Sequence, residues 1–284
     1  MKNNFNITIV KYKHSMAWWE TAELIFYALK QLGFKVKIQH QFLDMDCVNI
    51  ILGAFLLEKE YLKKLPKNSI ILNTEQLLFE SDFKKRWPSS VIEWAKEYET
   101  WDYSEENIEV FKKNGINNVK KLDIGYQPEL NRIKKNENQD IDVLFYGSRN
   151  QKRVELLDKL KKTGLKIEVL FGVYGLERDK YIERSKVVLN CHNYKSEIFE
   201  IIRCFYLMTN SKAIVSEINL TTKINELYMN GIYATPYEQI IDNCVYMVKN
   251  KEQREQLEQK ALSTIKKMPQ TEFIKKLIQY EPSN

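Results

Sequence analysis

The hydrophobic positions in the first half of the chain alternate between short β-branched runs and amphipathic stretches. Runs such as Asn6–Val10 and Val48–Leu52 have the length and composition of buried strands. Glu20–Leu32 carries apolar residues at helical spacing and is followed by Gly33, a typical helix terminator. Alternating strands and helices predict a parallel sheet covered by helices on both faces. The remaining elements predicted in this half are strands at Phe34–Ile38, Ser69–Leu72, Thr100–Tyr103 and Val119–Ile124, and helices at Val91–Tyr98 and Ser104–Asn114.

The same alternation restarts after a polar, charged stretch at 128–140, whose composition is typical of a linker. We therefore predict an α/β fold in which two Rossmann-like domains, 1–130 and 131–268, face a central cleft, with ligands at the carboxyl ends of the strands. The elements predicted in the second half are strands at Asp142–Tyr146, Lys166–Phe171, Val187–Cys191 and Ala213–Ser216, and helices at Gln151–Lys162, Glu177–Ser185 and Ile198–Met208.

Composition narrows the class of protein. The 284 residues are 44% hydrophobic and 29% charged, as in a globular protein. The longest apolar runs are shorter than the roughly 20 residues that cross a bilayer, so we expect a cytoplasmic protein. The net charge of +6 is compatible with a solvated lysine-rich surface, or with attraction to lipid head groups, a phosphorylated lipid carrier or nucleic acid. Clusters such as Lys84-Lys85-Arg86 and Lys134-Lys135 contribute to this excess.

The first candidate for chemistry is the stretch Tyr146-Gly147-Ser148-Arg149-Asn150, which lies between a predicted strand and a predicted helix. A glycine there lets the backbone approach a phosphate, and the start of the helix offers unpaired N–H groups. Arg149 and Arg153 add positive charge. One glycine is also compatible with an ordinary turn.

Two later strand ends are also candidates. Gly172 and Gly175 frame Tyr174 after one strand, which permits close packing around a flat ligand. Glu200 and Arg203 lie three residues apart in an otherwise apolar predicted helix, so they require a polar partner such as a bound nucleotide.

These motifs resemble those of GT-B glycosyltransferases, and more narrowly those of the CgeB-like (spore-maturation-protein-like) group. The motifs in the second half are Asp-Val-Leu-Phe-Tyr-Gly-Ser, Phe-Gly-Val-Tyr-Gly, Val-Leu-Asn-Cys-His, Glu-Ile-Phe-Glu-Ile-Ile-Arg and Val-Ser-Glu. Those in the first half are Asn-Thr-Glu-Gln-Leu, Trp-Asp-Tyr-Ser and Ile-Gly-Tyr-Gln-Pro-Glu-Leu. The resemblance implies transfer of a sugar from a nucleotide-diphosphate sugar to a hydroxyl acceptor, such as a surface-glycan or lipid-linked precursor.

The resemblance also implies where the substrates bind. The second domain is expected to hold the donor and the first domain the acceptor. The final helix, in 269–284, is expected to cross back to the first domain, with Phe273, Leu277 and Tyr280 on one face. The predicted donor-binding residues are Gly147, Ser148, Arg149, Arg153, Gly172, Tyr174, His192, Tyr194, Glu197, Phe199, Glu200 and Arg203.

The chain departs from the retaining members of the family at one motif. Many of them carry Glu-x7-Glu here; Glu197 matches the first glutamate, but the second position is Phe205. Glu200 is then the candidate for the ribose, and an inverting reaction is favoured.

An inverting reaction requires a base on the acceptor side. The candidates are Glu75, Asp102 and His14, of which His14 is preferred because imidazole accepts protons near neutrality. The predicted acceptor contacts are Trp18, Trp19, Glu20 and Tyr126, although at least one of the tryptophans is expected in the core of the following helix.

Three other functions are alternatives to this hypothesis. The basic clusters are compatible with a phage-type DNA-base glycosyltransferase, and the motifs are compatible with a non-catalytic nucleotide-sugar-binding module. A dinucleotide dehydrogenase is disfavoured because no G-x-G-x-x-G follows a predicted strand.

The sequence predicts neither a cofactor nor a metal. Asp44-Met45-Asp46 matches the Asp-x-Asp signature of metal-dependent glycosyltransferases but precedes a strand, and the cysteines and histidines show no ligand spacing. Sugar transfer should therefore persist in excess EDTA, measured as initial rate against an untreated sample. Complete loss of the rate, restored by manganese or magnesium, would contradict this prediction.

Overall fold

The computed structural model describes residues 4–77 and 88–279. The chain forms two compact units, which we call unit 1 (residues 1–124 and 270–284) and unit 2 (residues 125–269). The Lys84-Lys85-Arg86 cluster and Tyr280 lie outside the described residues.

Unit 1 is built on a parallel sheet of six strands in the order β2-β1-β3-β4-β5-β6 among the described residues. β-branched side chains fill its central strands, and Ile7, Ile50 and Ile71 are at most 3% exposed. The strands are β1 (Asn4–Ile9), β2 (Lys35–His40), β3 (Val48–Leu52), β4 (Ile70–Asn73), β5 (Glu99–Asp102) and β6 (Val119–Lys121). Its first three helices are α1 (Trp19–Gln31), α2 (Pro88–Glu97) and α3 (Glu105–Lys113).

Unit 2 repeats this design with a parallel sheet of five described strands in the order β11-β10-β9-β7-β8. Leucine, valine and phenylalanine side chains from β7 and β9 pack against α4 and α8 to form its core. The strands are β7 (Ile141–Tyr146), β8 (Ile167–Leu170), β9 (Ser185–Asn190), β10 (Ile214–Glu217) and β11 (Tyr233–Thr235). The helices are α4 (Gln151–Lys161), α5 (Gly175–Arg184), α6 (Ile201–Thr209), α7 (Glu226–Asn230), α8 (Ile240–Lys249) and α9 (Lys251–Ile265).

The last helix of the described chain, α10 (Gln270–Ile278), belongs to unit 1. It packs against α1, and Ile274 and Leu277 are buried on its inner face. Lys120 donates a hydrogen bond from Nζ to the carbonyl oxygen of Leu277 at 3.2 Å.

The strand orders confirm the predicted α/β fold with two parallel-sheet Rossmann-like units. In each sheet the chain first runs to one side and then returns to continue on the other, so the order reverses between β1 and β3 and between β7 and β9. Loops that leave neighbouring strands in opposite directions open a crevice at their carboxyl ends, where such sheets bind ligands. In unit 2 this crevice lies beside the loops at 147–150 and 191–200.

Two predictions about local structure were wrong. The stretch predicted as a linker packs into unit 2: Leu130 is fully buried, and the backbone N–H groups of Arg132 and Ile133 both donate to Oδ1 of Asn210 at 2.8 Å. The helix predicted from Ile198 begins only at Ile201, because the preceding segment is held by side-chain hydrogen bonds in a non-helical conformation.

No helix in the described ranges, 4–77 and 88–279, combines the length and apolar character needed to cross a bilayer.

Candidate functional site

The loop after β7 brings a positively charged group against the backbone. Gly147 has φ +135°, and a Cβ atom there would lie 2.8 Å from Nη2 of Arg203. Only glycine therefore allows the guanidinium of Arg203 to lie directly against this loop. Asn150 then caps α4 by accepting a hydrogen bond from the backbone N–H of Arg153 at 2.8 Å.

Arg153, which the sequence predicted as a donor-binding residue, is buried and connects two loops. Its side chain is 2% exposed and lies over the ring of Phe145 at 5.3 Å. Burial lowers the pKa of Arg153, and the neighbouring positive charge of Arg203 lowers it further. Its two terminal nitrogens are already used within the protein. They donate to the carbonyl oxygens of Ser148 (2.9 Å) and Cys191, to Oδ1 of Asn193 (3.1 Å) and to Oε1 of Glu200 (3.3 Å).

Glu200 occupies the N-cap position of α6, one residue before the helix. Its carboxylate is 13% exposed, and its contacts are long for charge-assisted hydrogen bonds. The groups around it are Nδ1 of His192 (3.2 Å), the backbone N–H of Asn193 (3.2 Å), Nη2 of Arg153 (3.3 Å) and Nδ2 of Asn190 (3.4 Å). Burial raises the pKa of Glu200, but His192 and the two arginines outweigh that effect, so its pKa lies below the ordinary value. Glu200 is therefore an ionised acceptor with weak partners.

Arg203 is a half-buried cation for which the described residues supply no ion-pair partner. Nη1 donates to Oδ1 of Asn190 at 2.5 Å, and the guanidinium lies 5.3 Å from the ring centroid of Tyr146. Within the part of the chain that the structure describes, no carboxylate oxygen lies within 4.0 Å of its nitrogens. A half-buried cation without a counter-ion favours an anionic ligand.

A second charged cluster follows β10. Glu217 is fully buried and accepts hydrogen bonds from Nζ of Lys152 at 2.6 Å and from the backbone N–H of His192 at 2.9 Å. Lys152 also lies over the ring of Tyr237 at 4.5 Å. Because Lys152 is in the first turn of α4, this pair places a lysine beside the loop after β7.

Two predicted donor residues have roles within the protein fold. His192 is 1% exposed and fixed between Glu200 and Oγ1 of Thr222, 3.1 Å from Nε2. Phe199 is 5% exposed and packs edge-on against Tyr228, so it contributes to the core beside the site.

Glu197 has φ +52° and accepts hydrogen bonds from Asn219 at 2.7 Å and from Thr221. Burial raises its pKa, but these hydrogen bonds outweigh that effect and lower it below the ordinary value. Glu197 therefore fixes the loop before α6. The predicted donor residues that stay accessible are Ser148, Arg149, Gly172 and Tyr194, which are exposed, and Gly147 and Tyr174, which are half-buried.

In unit 1, the predicted acceptor contacts differ in how deeply they are buried. Trp18 is 8% exposed and packs edge-on against Phe55, so it is a core residue. Trp19 is half-buried and stacks on His40 with ring centroids 5.7 Å apart. Glu20 is 4% exposed, which limits its contact with a ligand.

Two further residues, Tyr126 and His14, were predicted for the acceptor side. Tyr126 belongs to unit 2, where its backbone N–H donates to the carbonyl oxygen of Met268 at 2.7 Å. Its assignment to the first domain was therefore wrong. His14 is half-buried and meets Tyr12 edge-on, with centroids 5.6 Å apart.

Comparison with known proteins identifies the fold of this chain. No family model matches the chain. The curated relatives include the uncharacterized proteins L138 and L137 of Acanthamoeba polyphaga mimivirus, 27% identical over 67% of this chain and 28% identical over 74%. The matched regions span only 22% and 28% of those two relatives.

The solved structures give a match along almost the whole chain. An alpha-glucosyltransferase in complex with UDP and DNA containing an HMU base superposes with a TM-score of 0.71 at 9% identity, covering 97% of this chain and 98% of that one. T4 phage BGT with UDP-glucose gives 0.59 at 14% identity, covering 98% and 100%. Anabaena HepE with UDP-glucose gives 0.57 at 10% identity, again covering 98% and 100%. This chain has the GT-B fold.

Several residues of the candidate site were missed by sequence reasoning. Asn190, Glu217 and Asn219 form hydrogen bonds with the predicted residues Glu200, His192 and Glu197, and Lys152 forms an ion pair with Glu217. Asn190 and Glu217 end two neighbouring strands, so their position at strand ends was a usable signal. Lys152 offered none, because one lysine among many is not distinguished by its type.

No group of three histidine, cysteine, aspartate or glutamate side chains within residues 4–77 and 88–279 is arranged to hold a metal ion. The Asp44-Met45-Asp46 motif has a structural use: Asp44 forms an ion pair with Lys37 and accepts a hydrogen bond from the backbone N–H of Asp46 at 2.9 Å.

The geometry predicts how single substitutions change the binding of a nucleoside diphosphate. Arg203→Ala should weaken binding about 10- to 100-fold, because hydrogen bonds to charged groups contribute about 1.5–3 kcal/mol. Glu200→Gln should weaken it about 10-fold or more by removing the charged acceptor. The measurement is calorimetric titration, with circular dichroism to confirm that each variant is folded.

Arg184→Ala is the matched control, because Arg184 pairs with Asp140 at the opposite end of the same sheet. Equal affinities of Arg203→Ala, the control and the unmodified protein would exclude Arg203 from the binding site.

Proposed function

We propose that this protein transfers a sugar from a nucleotide-diphosphate sugar to a hydroxyl acceptor. The observation that carries the proposal is the guanidinium of Arg203, which lies against the backbone of Gly147 and has no carboxylate partner among the described residues. A diphosphate beside it would supply the missing negative charge. The N–H groups at the start of α4 would add to its binding.

The other parts of the donor fit around this anchor. Glu200 is an ionised acceptor whose contacts are 3.2–3.4 Å long, so it can accept hydrogen bonds from ribose hydroxyls. Arg149 and Lys152 add positive charge beside the diphosphate, while Arg153 keeps the loops in place. We infer a uridine nucleotide as the first donor to test, since the structures with a similar fold include complexes with UDP-glucose and UDP.

Charge stabilisation by arginine and lysine makes transfer without a metal ion feasible. The negative charge that develops on the leaving diphosphate is met by Arg203 and by the helix terminus. Phe205 replaces the second glutamate of the retaining motif, which supports an inverting displacement. The motif resemblance supports placement in the CgeB-like group.

We propose a surface-glycan or lipid-linked precursor as the acceptor. The lysine-rich surface would favour peripheral contact with an anionic membrane, where a lipid-linked precursor resides. Duplex DNA is the second candidate. The observation that favours DNA is the TM-score of 0.71 with the alpha-glucosyltransferase bound to DNA, together with the net charge of +6.

A thermal-shift screen against a panel of nucleotide sugars tests the donor proposal. A donor at a hundredfold excess over its Kd stabilises the folded protein by about 2.7 kcal/mol and raises Tm. The expected result is a clear rise with one or a few nucleotide sugars and a smaller rise for the same donor with Arg203→Ala. No shift with any nucleotide sugar would contradict the proposal.

The donor found in this way then identifies the acceptor class by radiolabelled transfer. Label on a glycan or lipid-linked acceptor supports the first candidate. Label on duplex DNA, with an affinity that falls steeply as salt rises, supports the second. Donor binding without hydrolysis or transfer to any acceptor would identify a binding module instead.

A further inference from the structure

The carboxylate of Asp102, at the end of β5, is fully occupied inside the protein. Asp102 is 0% exposed, and three donors surround it. Nδ2 of Asn73 lies 2.6 Å from one oxygen, and the backbone N–H of Ser104 lies 2.8 Å from the other. Nδ2 of Asn107 lies 3.0 and 3.1 Å from the two oxygens. Asp102 therefore has no access to a substrate hydroxyl.

The same two asparagines hold the backbone of Glu75. Each amide nitrogen carries two hydrogens: one is directed to Asp102, and the other to the carbonyl oxygen of Glu75, at 2.9 Å from Asn73 and 2.7 Å from Asn107. Oδ1 of Asn73 accepts from the backbone N–H of Glu75 at 3.2 Å, and Oδ1 of Asn107 accepts from that of Leu77 at 2.9 Å. By attracting both NH2 groups, Asp102 fixes which way the amides face and so fixes the segment 73–77.

The side chain of Glu75 is in the opposite situation. In the described ranges its carboxylate has no hydrogen-bond or ion-pair partner, although the residue is half-buried. Burial raises the pKa of Glu75 to about 7. A desolvated carboxylate with unused acceptor capacity and a rigid backbone has the properties of a general base.

We propose, on the basis of the transfer proposed above, that Glu75 accepts the proton of the acceptor hydroxyl and that Asp102 is a positioning residue acting through Asn73 and Asn107. The acceptor oxygen forms a bond to C1 of the donor sugar while its proton passes to the Glu75 carboxylate. The bond from C1 to the diphosphate oxygen breaks, and its electron pair leaves with the nucleoside diphosphate. This assignment replaces the preference for His14.

The first experiment measures kcat and donor Kd for Glu75→Gln. The expected result is a loss of kcat of about 100-fold or more with an unchanged donor Kd, because only proton transfer is removed. Glu97→Gln is the matched control, an exposed glutamate on α2 of the same unit, and should keep full kcat. A Glu75→Gln kcat within threefold of the unmodified protein overturns the assignment, and a 100-fold loss for His14→Ala instead transfers the role to His14.

The second experiment distinguishes the base from the positioning residue by the effect of each substitution on Tm at a chosen pH. Glu75 has a folded pKa above its ordinary value of 4.5, so its ionisation destabilises the fold increasingly from pH 4.5 to about 7 and constantly above that. Glu75→Gln should therefore raise Tm at pH 8. Asp102→Asn should lower Tm, since its amide would face the donors of Asn73 and Ser104.

The pH profile of kcat/KM completes the test. Burial also raises the pKa of Asp102 to about 7, against its hydrogen bonds, so both carboxyls titrate in the same range. The acidic limb should persist in Asp102→Asn with a reduced rate and should disappear in Glu75→Gln. Loss of the limb in Asp102→Asn alone overturns the assignment.

Failure of the assignment is distinguishable from failure of the proposed function. Transfer by the unmodified protein together with a fully active Glu75→Gln overturns only the role of Glu75. Absence of transfer to every acceptor class overturns the proposed function and the base assignment together.

Discussion

The buried guanidinium of Arg153 donates to the carbonyl oxygens of Ser148 and Cys191 and so joins the loops that follow two neighbouring strands of unit 2. Burying a charge is costly unless it is hydrogen-bonded, and both terminal nitrogens of Arg153 donate within the protein, to two carbonyls, an amide oxygen and Glu200. Removing it would leave Glu200 with one fewer positive partner and would release both loops. The geometry around Gly147 depends on this brace.

Arg203, which lies beside the hydrogen-bonded Arg153, gives the site its positive charge for binding an anion. Glu200 is one carboxylate near two arginines, Arg153 and Arg203, so these three residues together carry more positive than negative charge. Arg203 forms no ion pair with a carboxylate of the described residues, and a diphosphate is a ligand of the complementary charge. The same separation of roles occurs in unit 1, where one buried carboxyl, Asp102, is fully hydrogen-bonded and a second, Glu75, is not. In both units, a buried charged residue that is hydrogen-bonded within the protein helps to position a second charged residue that has fewer partners among the described residues.

The alternation of apolar runs was sufficient to predict both parallel sheets, because strands buried on both faces leave a clear signal in the sequence. Gly147 was predicted from its position after a strand, and Glu200 and Arg203 were predicted as a charged pair in an otherwise apolar helix; the structure brings Arg203 to Gly147. The roles of individual side chains were harder to predict from the sequence, since they depend on which hydrogen-bond donors are already paired with other groups in the fold. Arg153 and Arg203 have the same chemistry in the sequence, and only the carbonyls around Arg153 separate them. The start of α6 was missed because Glu197, Asn219 and Thr221 form hydrogen bonds that compete with the helix.

A crystal structure of the protein with UDP tests the central claim, that Arg203 and Gly147 form the diphosphate site of unit 2. The account predicts diphosphate oxygens within about 3 Å of Arg203 Nη2 and of the backbone N–H groups after β7, with ribose hydroxyls at a similar distance from Glu200. It also predicts that Arg153 keeps its contacts to Ser148 and Cys191. UDP bound away from Arg203, or held by Arg153 after it has left those carbonyls, would contradict the account.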